Sequence, residues 1–352
     1  MTLRLGMLGM HHPHAVGMAR QIAAYPNEFE LVAGWDHDSE VAAARQCEWG
    51  PDHARFEVLD SAVAVLEREL DGVVVEGRVY ENVALAQLAV ERALPVMLEK
   101  PAGVNLIDYQ TLVADAREQG LCVQLIYLFR YMSAVVEMLQ LAASGALGEI
   151  YEFRARMPKD VRLYDEYIPW YSGYQGGMYF EMAGHAVDIM VTMLGRPERI
   201  TPFLTQHRDD KISWTDHGVA VFEYPRAFGI IEVNALEIAP STRHFEVYGS
   251  RGACTIPDLG SGHLDNPTTQ PLDVYLEDGA YPDCTVESPV AGWRRLDLSA
   301  AILQITDLRE FAACVAGGKA PQYSLEHDLI VHETLLRSSG VTVTDSRFEG
   351  PS

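Results

Sequence analysis

LRLGMLGMHHPHAVGMAR, residues 3–20, is an apolar run that ends on a glycine and passes at once into a stretch with helical spacing. Leu3 to Leu8 read as a buried strand and Gly9 as a turn. Pro13 follows as an early helix residue, where proline's missing N–H costs nothing. Strand, glycine turn and helix N-terminus in succession are the opening of a dinucleotide-binding unit. Its fingerprint G-x-G-x-x-G uses the first glycine for the turn, the second for approach of a pyrophosphate and the third for close helix–strand packing. Counted from Gly9 without a gap, the second position is His11 and the third is His14, so only the turn glycine survives. Alternatively the loop is re-cut, with HPHA forming a shorter turn. In both readings the helix N-terminus still offers N–H groups to an anion, and His11, His12 and His14 can donate to phosphate while crowding the backbone approach. A metal held by these three histidines is the weaker reading, because their rings are expected to diverge in a tight turn.

Outward from this stretch the alternation continues. RLGMLG, FELVAGWD, GVVVEG, PVMLE and LCVQLIY are strand-like, and SEVAAARQCEW, ENVALAQLAVERA and LIDYQTLVADAREQG have helical apolar spacing. This predicts an α/β domain over residues 1–126, a parallel sheet with helices on both faces. From 127 the pattern changes: helices near 131–144 and 178–194 precede the strand-like runs GVAVFEYP, FGIIEVNAL and RHFEVYG, and helices return near 300–316 and 325–339. Consecutive strands imply a mainly antiparallel sheet with one wet face, so residues 127–352 are expected to form an α+β domain. The active site is expected where the two domains meet.

Composition limits the function classes. A formal net charge of −23 argues against a nucleic-acid partner, whose phosphates demand Lys and Arg. The chain has no run of eighteen apolar residues, and its N-terminus reads as a strand rather than a signal peptide, so no membrane span and a cytoplasmic location are expected. The five cysteines, Cys47, Cys122, Cys254, Cys284 and Cys314, are odd in number and scattered, and read as buried thiols.

Three further stretches carry chemistry. LEKPAG (98–103) places Glu99, Lys100 and Pro101 after the strand PVMLE, LFRYM (128–132) places Arg130 after LCVQLIY, and GGMYFEMAGHAVDIMVTMLGRP (176–197) sets Glu181, His185 and Asp188 on one helix face at spacings of four and three. In this order, on this alternation of elements, they resemble the Gfo/Idh/MocA family of oxidoreductases, nearly end to end. The resemblance implies an N-terminal Rossmann domain followed by a domain with a large open, mainly antiparallel sheet, and a homo-oligomer, dimer or tetramer, built through that sheet. It implies that Lys100 contacts the nicotinamide side and the reacting hydroxyl, where a cation favours the developing alkoxide. It also makes His185 the active-site histidine, whose pKa suits proton transfer near neutrality.

The chain departs from the family where its usual aspartate four before the histidine is Glu181. Three roles stay open for Glu181, in this order: substrate contact, metal binding with His185, and an inert helix face. No metal ligand is assigned. Asp36, ending AGWD, lies where an acid meets the adenine ribose 2′-hydroxyl and repels a 2′-phosphate, which favours NAD over NADP. As a helix N-cap, Asp38 is better placed. Arg78 falls at the carboxyl edge of the sheet, able to meet a pyrophosphate or a substrate carboxylate, or to pair with Glu76 or Glu81. The cofactor set is thus Gly9, His11, His12, His14, Asp36, Arg78, Glu99, Lys100 and Pro101.

The segment RLYDEYIPWYSGYQGG (162–177) concentrates Tyr164, Tyr167, Trp170, Tyr171 and Tyr174, which suit a polyhydroxylated ring or, equally, a dimer surface. Tyr167 and Trp170 join Arg130 and Asp188 as candidate substrate contacts. The expected activity is an NAD-dependent oxidoreductase acting on a sugar, cyclitol or related small polyhydroxy molecule, with Lys100, His185 and Glu181 catalytic. The alternatives are a redox-neutral lyase, epimerase or glycoside-cleaving enzyme using bound NAD or a metal, and a non-catalytic sugar or nucleotide sensor.

Overall fold

The computed structural model describes residues 2–50, 52–53, 55–160, 162, 168–238, 243–259, 269–281, 285–300, 303–317 and 319–343. The chain divides into two compact units, Met1–Tyr127 with Ile302–Leu329, and Leu128–Ala301 with Ile330–Ser352. The expectation of a single division after residue 126 did not include the return of 302–329 to the first unit.

The first unit runs β1 (Leu3–Leu8), α1 (Pro13–Ala24), β2 (Phe29–Trp35), α2 (Ser39–Trp49), β3 (Glu57–Val58), α3 (Ala62–Leu66), β4 (Gly72–Val75), α4 (Val79–Val90), β5 (Val96–Leu98), α5 (Leu106–Glu118) and β6 (Val123–Leu125). Its six strands are all parallel in the order β3-β2-β1-β4-β5-β6, the Rossmann order. The central strands are apolar on both faces because helices cover both: Leu5, Met7, Val73, Val74, Val75, Met97 and Leu98 are fully buried.

In the second unit a 3₁₀ turn (Leu128–Tyr131) leads into α6 (Ser133–Ala143), β7 (Ile150–Pro158), α7 (Ile168–Tyr171) and α8 (Gly177–Leu194). Strands β8 (Arg199–Thr205), β9 (His217–Glu223), β10 (Phe228–Asn234), β11 (His244–Gly249), β12 (Gly252–Ile256), β13 (Thr269–Leu276), β14 (Val286–Glu287) and β15 (Arg294–Ser299) follow, and then α9 (Leu303–Val315) and α10 (Leu325–Ser338). The nine-stranded sheet has the order β14-β15-β13-β12-β11-β7-β10-β9-β8 and is antiparallel except for the β7–β10 pair. Phe153, Ala155, Ile231, Val233, Phe245 and Val247 are buried, while Arg154, Arg156, Glu232 and Glu246 alternate with them on the wetter face. Among the described residues, no helix is long and apolar enough to cross a membrane. Of the cysteines expected to be buried, Cys254 is, whereas Cys47 is exposed; Cys284 lies outside the described residues.

Candidate functional site

Strand register in the first unit lines up positions far apart in sequence. Leu8 pairs with Trp35 on one side and Val75 on the other, and Val75 pairs with Leu98. The next residue of each strand therefore falls in one row along the carboxyl edge: Gly9, Asp36, Glu76 and Glu99. In open parallel sheets ligands bind at this edge, where the strand order reverses between β1 and β4.

At Gly9 φ is +74°, and an added Cβ would lie 2.3 Å from Gly77 Cα, so both backbone and space require glycine. Asp36 is buried; its Oδ2 accepts from the Met10 N–H at 2.5 Å and its Oδ1 from the Asp38 N–H at 2.8 Å. A carboxylate has about four acceptor positions, so capacity for a ribose hydroxyl remains. Asp38 caps α2, accepting from the N–H groups of Glu40 and Val41.

His12 caps α1, its Nδ1 accepting from the His14 N–H at 3.3 Å, with Pro13 in the first turn. The backbone donors that a glycine-rich turn aims at a pyrophosphate are largely engaged here: the His12 N–H donates to the Glu76 carbonyl at 3.0 Å, and Pro13 has none. The Arg78 side chain supplies the positive charge instead. The Arg78 guanidinium lies 3.6 Å from Asp38 and 3.6 Å from Glu81, and burial together with Arg78 holds the His11 imidazole below its ordinary pKa. A dinucleotide fits this donor set, since Asp36 keeps acceptor capacity and Arg78 brings a cation to the same edge.

Glu99 and Glu76 are both fully buried. Glu99 Oε1 lies 3.0 Å from His14 Nδ1, 3.8 Å from His12 Nδ1 and 3.8 Å from the Lys100 ammonium, while Glu76 Oε2 is 3.6 Å from His12 Nδ1. Burial and the Glu99 charge push the Glu76 carboxyl well up. Burial pushes Glu99 up too, but His14, His12 and Lys100 outweigh it and hold Glu99 below the usual range. The pair is thus split, one acid favouring its proton and the other its charge. The expected divergence of the three histidines holds only for His11, since the rings of His12 and His14 meet edge-on with centroids 4.4 Å apart. Lys100 is 2% exposed, and its peptide bond to Pro101 is cis.

The second unit carries the other candidates. α8 packs on β7, β9 and β10, and every residue from Gly177 to Val191 is buried. The 3₁₀ turn brings Phe129 flat onto His185, with ring centroids 4.2 Å apart at 15°. One residue on, Arg130 donates from Nε to Asp188 Oδ2 at 2.9 Å and from Nη2 to Oδ1 at 2.7 Å, a bidentate pair in which both partners are buried. The Tyr174 hydroxyl donates to Glu181 Oε2 at 3.4 Å. Trp170 stacks on Tyr171 and Tyr171 on Trp214, at 6.1 Å each. A polar cleft of about 510 Å³ is lined by residues 172–176, 204–206 and 213–215. Tyr164 and Tyr167 lie outside the described residues.

Two features were missed from sequence. Glu76 was considered only as a partner for Arg78, although an acid ending the run GVVVE was a signal that a charge enters the sheet edge. The 206–215 part of the cleft wall gave no signal, being the loop between β8 and β9.

With this geometry in view, comparisons with known proteins place the chain. Residues 4–127 match the family model described as "Oxidoreductase family, NAD-binding Rossmann fold", and residues 135–255 match the "GFO/IDH/MocA C-terminal domain". The oxidoreductase YdgJ of Escherichia coli (strain K12) is 26% identical over 260 residues, covering 72% of this chain and 70% of that protein. The dTDP-3,4-didehydro-2,6-dideoxy-alpha-D-glucose 3-reductase of Streptomyces violaceoruber is 26% identical over 258 residues, 72% of each. The WlbA dehydrogenase of Bordetella pertussis, solved with NADH and UDP-GlcNAcA, shares the fold with a TM-score of 0.74 at 18% identity over 97% of both chains. The six-stranded parallel sheet, the mainly antiparallel sheet after it and the two matched models together show that this chain belongs to the Gfo/Idh/MocA family of NAD-binding oxidoreductases.

Proposed function

We propose that the protein is an NAD-dependent oxidoreductase acting on a carbinol carbon of a sugar, cyclitol or related polyhydroxy compound, working in the cytoplasm as a homo-oligomer. The observation that carries this reading is the row at the sheet's carboxyl edge, with Gly9 at the turn, Asp36 held by two N–H groups, and Glu99, Lys100 and Pro101 at the end of β5. NAD, when bound, accepts or supplies the hydride. Asp36 favours NAD over NADP because its carboxylate repels a 2′-phosphate.

The remaining steps belong to this chain's own residues. His185, its ring fixed by stacking on Phe129, takes the hydroxyl proton at Nδ1 or Nε2 and returns it in the reverse direction. The Lys100 ammonium stabilises the negative charge that grows on the substrate oxygen. Glu181, Arg130 and Asp188 position hydroxyl groups, and Trp170 and Tyr167 offer ring faces to the C–H surface of the substrate. A sugar-type substrate is supported by the sugar-nucleotide names of the relatives above and by the cleft of tyrosine, glutamine and threonine beside Glu181.

Mass spectrometry of nucleotide released on denaturation, with calorimetric titration by NADH and NADPH, tests the cofactor. NADH should bind near the micromolar range, about −8 kcal/mol, and more tightly than NADPH; no binding of either overturns the reading. With a substrate found by screening, Lys100→Ala and His185→Ala should each lower kcat by about 10²–10⁴-fold. Unchanged turnover in both would remove the proposed chemistry.

A further inference from the structure

The convergence of His12 and His14 on a pair of buried carboxylates is not needed to hold a dinucleotide. We propose that His12, His14, Glu99 and Glu76 form a binding site for one divalent transition-metal ion of the zinc type at the carboxyl edge of the parallel sheet.

Geometry is the first argument. A tetrahedral ion with bonds of about 2.0–2.2 Å to imidazole nitrogen and carboxylate oxygen places its ligand atoms about 3.3–3.6 Å apart. The observed separations bracket that value: 3.0 Å for His14 Nδ1 to Glu99 Oε1, 3.6 Å for His12 Nδ1 to Glu76 Oε2, and 3.8 Å for His12 Nδ1 to Glu99 Oε1. The atoms offered by His12, His14 and Glu99 all lie within 4.8 Å of one another. These four residues come from the N-cap and first turn of α1 and the ends of β4 and β5, so the sheet edge and the helix start fix their spacing.

The second argument is independent and concerns the carboxylates. Glu76 and Glu99 are both 0% exposed, and among the described residues Glu76 Oε1, Glu76 Oε2 and Glu99 Oε2 have no hydrogen-bond partner. A simple ion-pair cluster, with His14 donating to Glu99 Oε1, leaves these three buried acceptors unsatisfied. A cation among them satisfies them. Two imidazoles with carboxylates select a borderline ion over magnesium or calcium, which prefer all-oxygen shells. Binding would also take the His12 Nδ1 lone pair that accepts the 3.3 Å bond from the His14 N–H, exchanging a weak helix cap for a metal bond.

The inference stands apart from the nucleotide reading, and its test uses no nucleotide. Full-length untagged protein is stripped with a chelator, then titrated with ZnCl₂ by calorimetry and with CoCl₂ by visible spectroscopy. One equivalent of zinc should bind, and cobalt should give the intense d–d absorption of a tetrahedral site. His14→Ala, whose side chain is 45% exposed, should weaken zinc at least 100-fold, as should Glu99→Gln. His207→Ala, removing one ring of a separate surface histidine pair, should leave affinity unchanged. Absence of stoichiometric binding overturns the proposal, as does binding that His14→Ala leaves intact or His207→Ala abolishes. NADH titration of the same metal-free protein separates a failure here from a failure of the cofactor reading.

Discussion

Arg130 and Asp188 lie 58 residues apart in sequence, and each spends its hydrogen-bonding fork on the other in a site where neither is more than 3% exposed. Such a pair gains little over an apolar pair of the same shape, because both charges have left water. Removing one partner is different, since it strands a buried charge at a cost of about 3–5 kcal/mol. Asp188→Ala should therefore lower the urea stability of the second unit by about that amount. The double change Arg130→Met with Asp188→Leu should recover most of it, and equal losses in the single and double variants would show that the pair is not the source of the stability. Both residues were legible in the sequence as candidates, from the strand end before LFRYM and the helical spacing around His185. Their mutual pairing was not, because a sequence shows that a charge will be buried without showing which distant charge meets it. Glu76 illustrates the same limit: a glutamate after an apolar run reads equally well as the first exposed residue of a loop, and only the strand register places it beside Glu99.

Helix α8 was legible to within a residue at its start and at its end, because a long, mostly apolar stretch bounded by the Gly176–Gly177 and Gly195 breaks admits few alternatives. Its burial from Gly177 to Val191 fits a helix apolar on all sides, with Glu181, His185 and Asp188 as deliberate exceptions. The entry to the helix depends on two glycines with left-handed backbone, Gly176 at φ +88° and Gly177 at φ +47°. A Cβ on Gly177 would come within 2.7 Å of the Thr215 carbonyl, a backbone atom that cannot swing aside. Gly177→Ala should cost about 1–3 kcal/mol from strain and displacement together. Because the displaced residues border the cleft, ligand binding should weaken along with the melting temperature. A variant that melts and binds as the parent does would show that this entry relaxes freely. The strands most easily missed from sequence were β3, two residues long, and β7 and β8. In β7 the charged Glu152, Arg154 and Arg156 alternate with Phe153, Ala155 and Met157, so the period-two signal is present despite the high charge.

At the scale of the whole chain, both terminal helices could be read from their periodicity, but the destination of the first could not. An amphipathic pattern states that a face will be buried and is silent on which unit buries it. The structure gives α9 to the first unit, where it packs on α1. Gln124 Nε2 donates to Asp307 Oδ1 at 2.7 Å, and Arg309 holds Glu28 through two bonds. Phe311, fully buried, closes over Gly72 so tightly that a Cβ there would lie 2.9 Å from its ring, which explains why β4 begins with glycine. The Rossmann core is therefore completed by residues about 175 positions beyond the end of its last strand. Phe311→Ala should cost about 3–5 kcal/mol through the cavity it leaves. Its effect should be local: hydrogen exchange should speed up at Val73 and Val74 in β4 and at Leu5 and Met7 in β1, while Val219 and Val221 in β9 keep their protection. Equal acceleration in both sheets would mean that the two units share one cooperative unfolding event. Loss of protection confined to β9 would mean that α9 supports the second unit in solution, against the packing seen around Phe311.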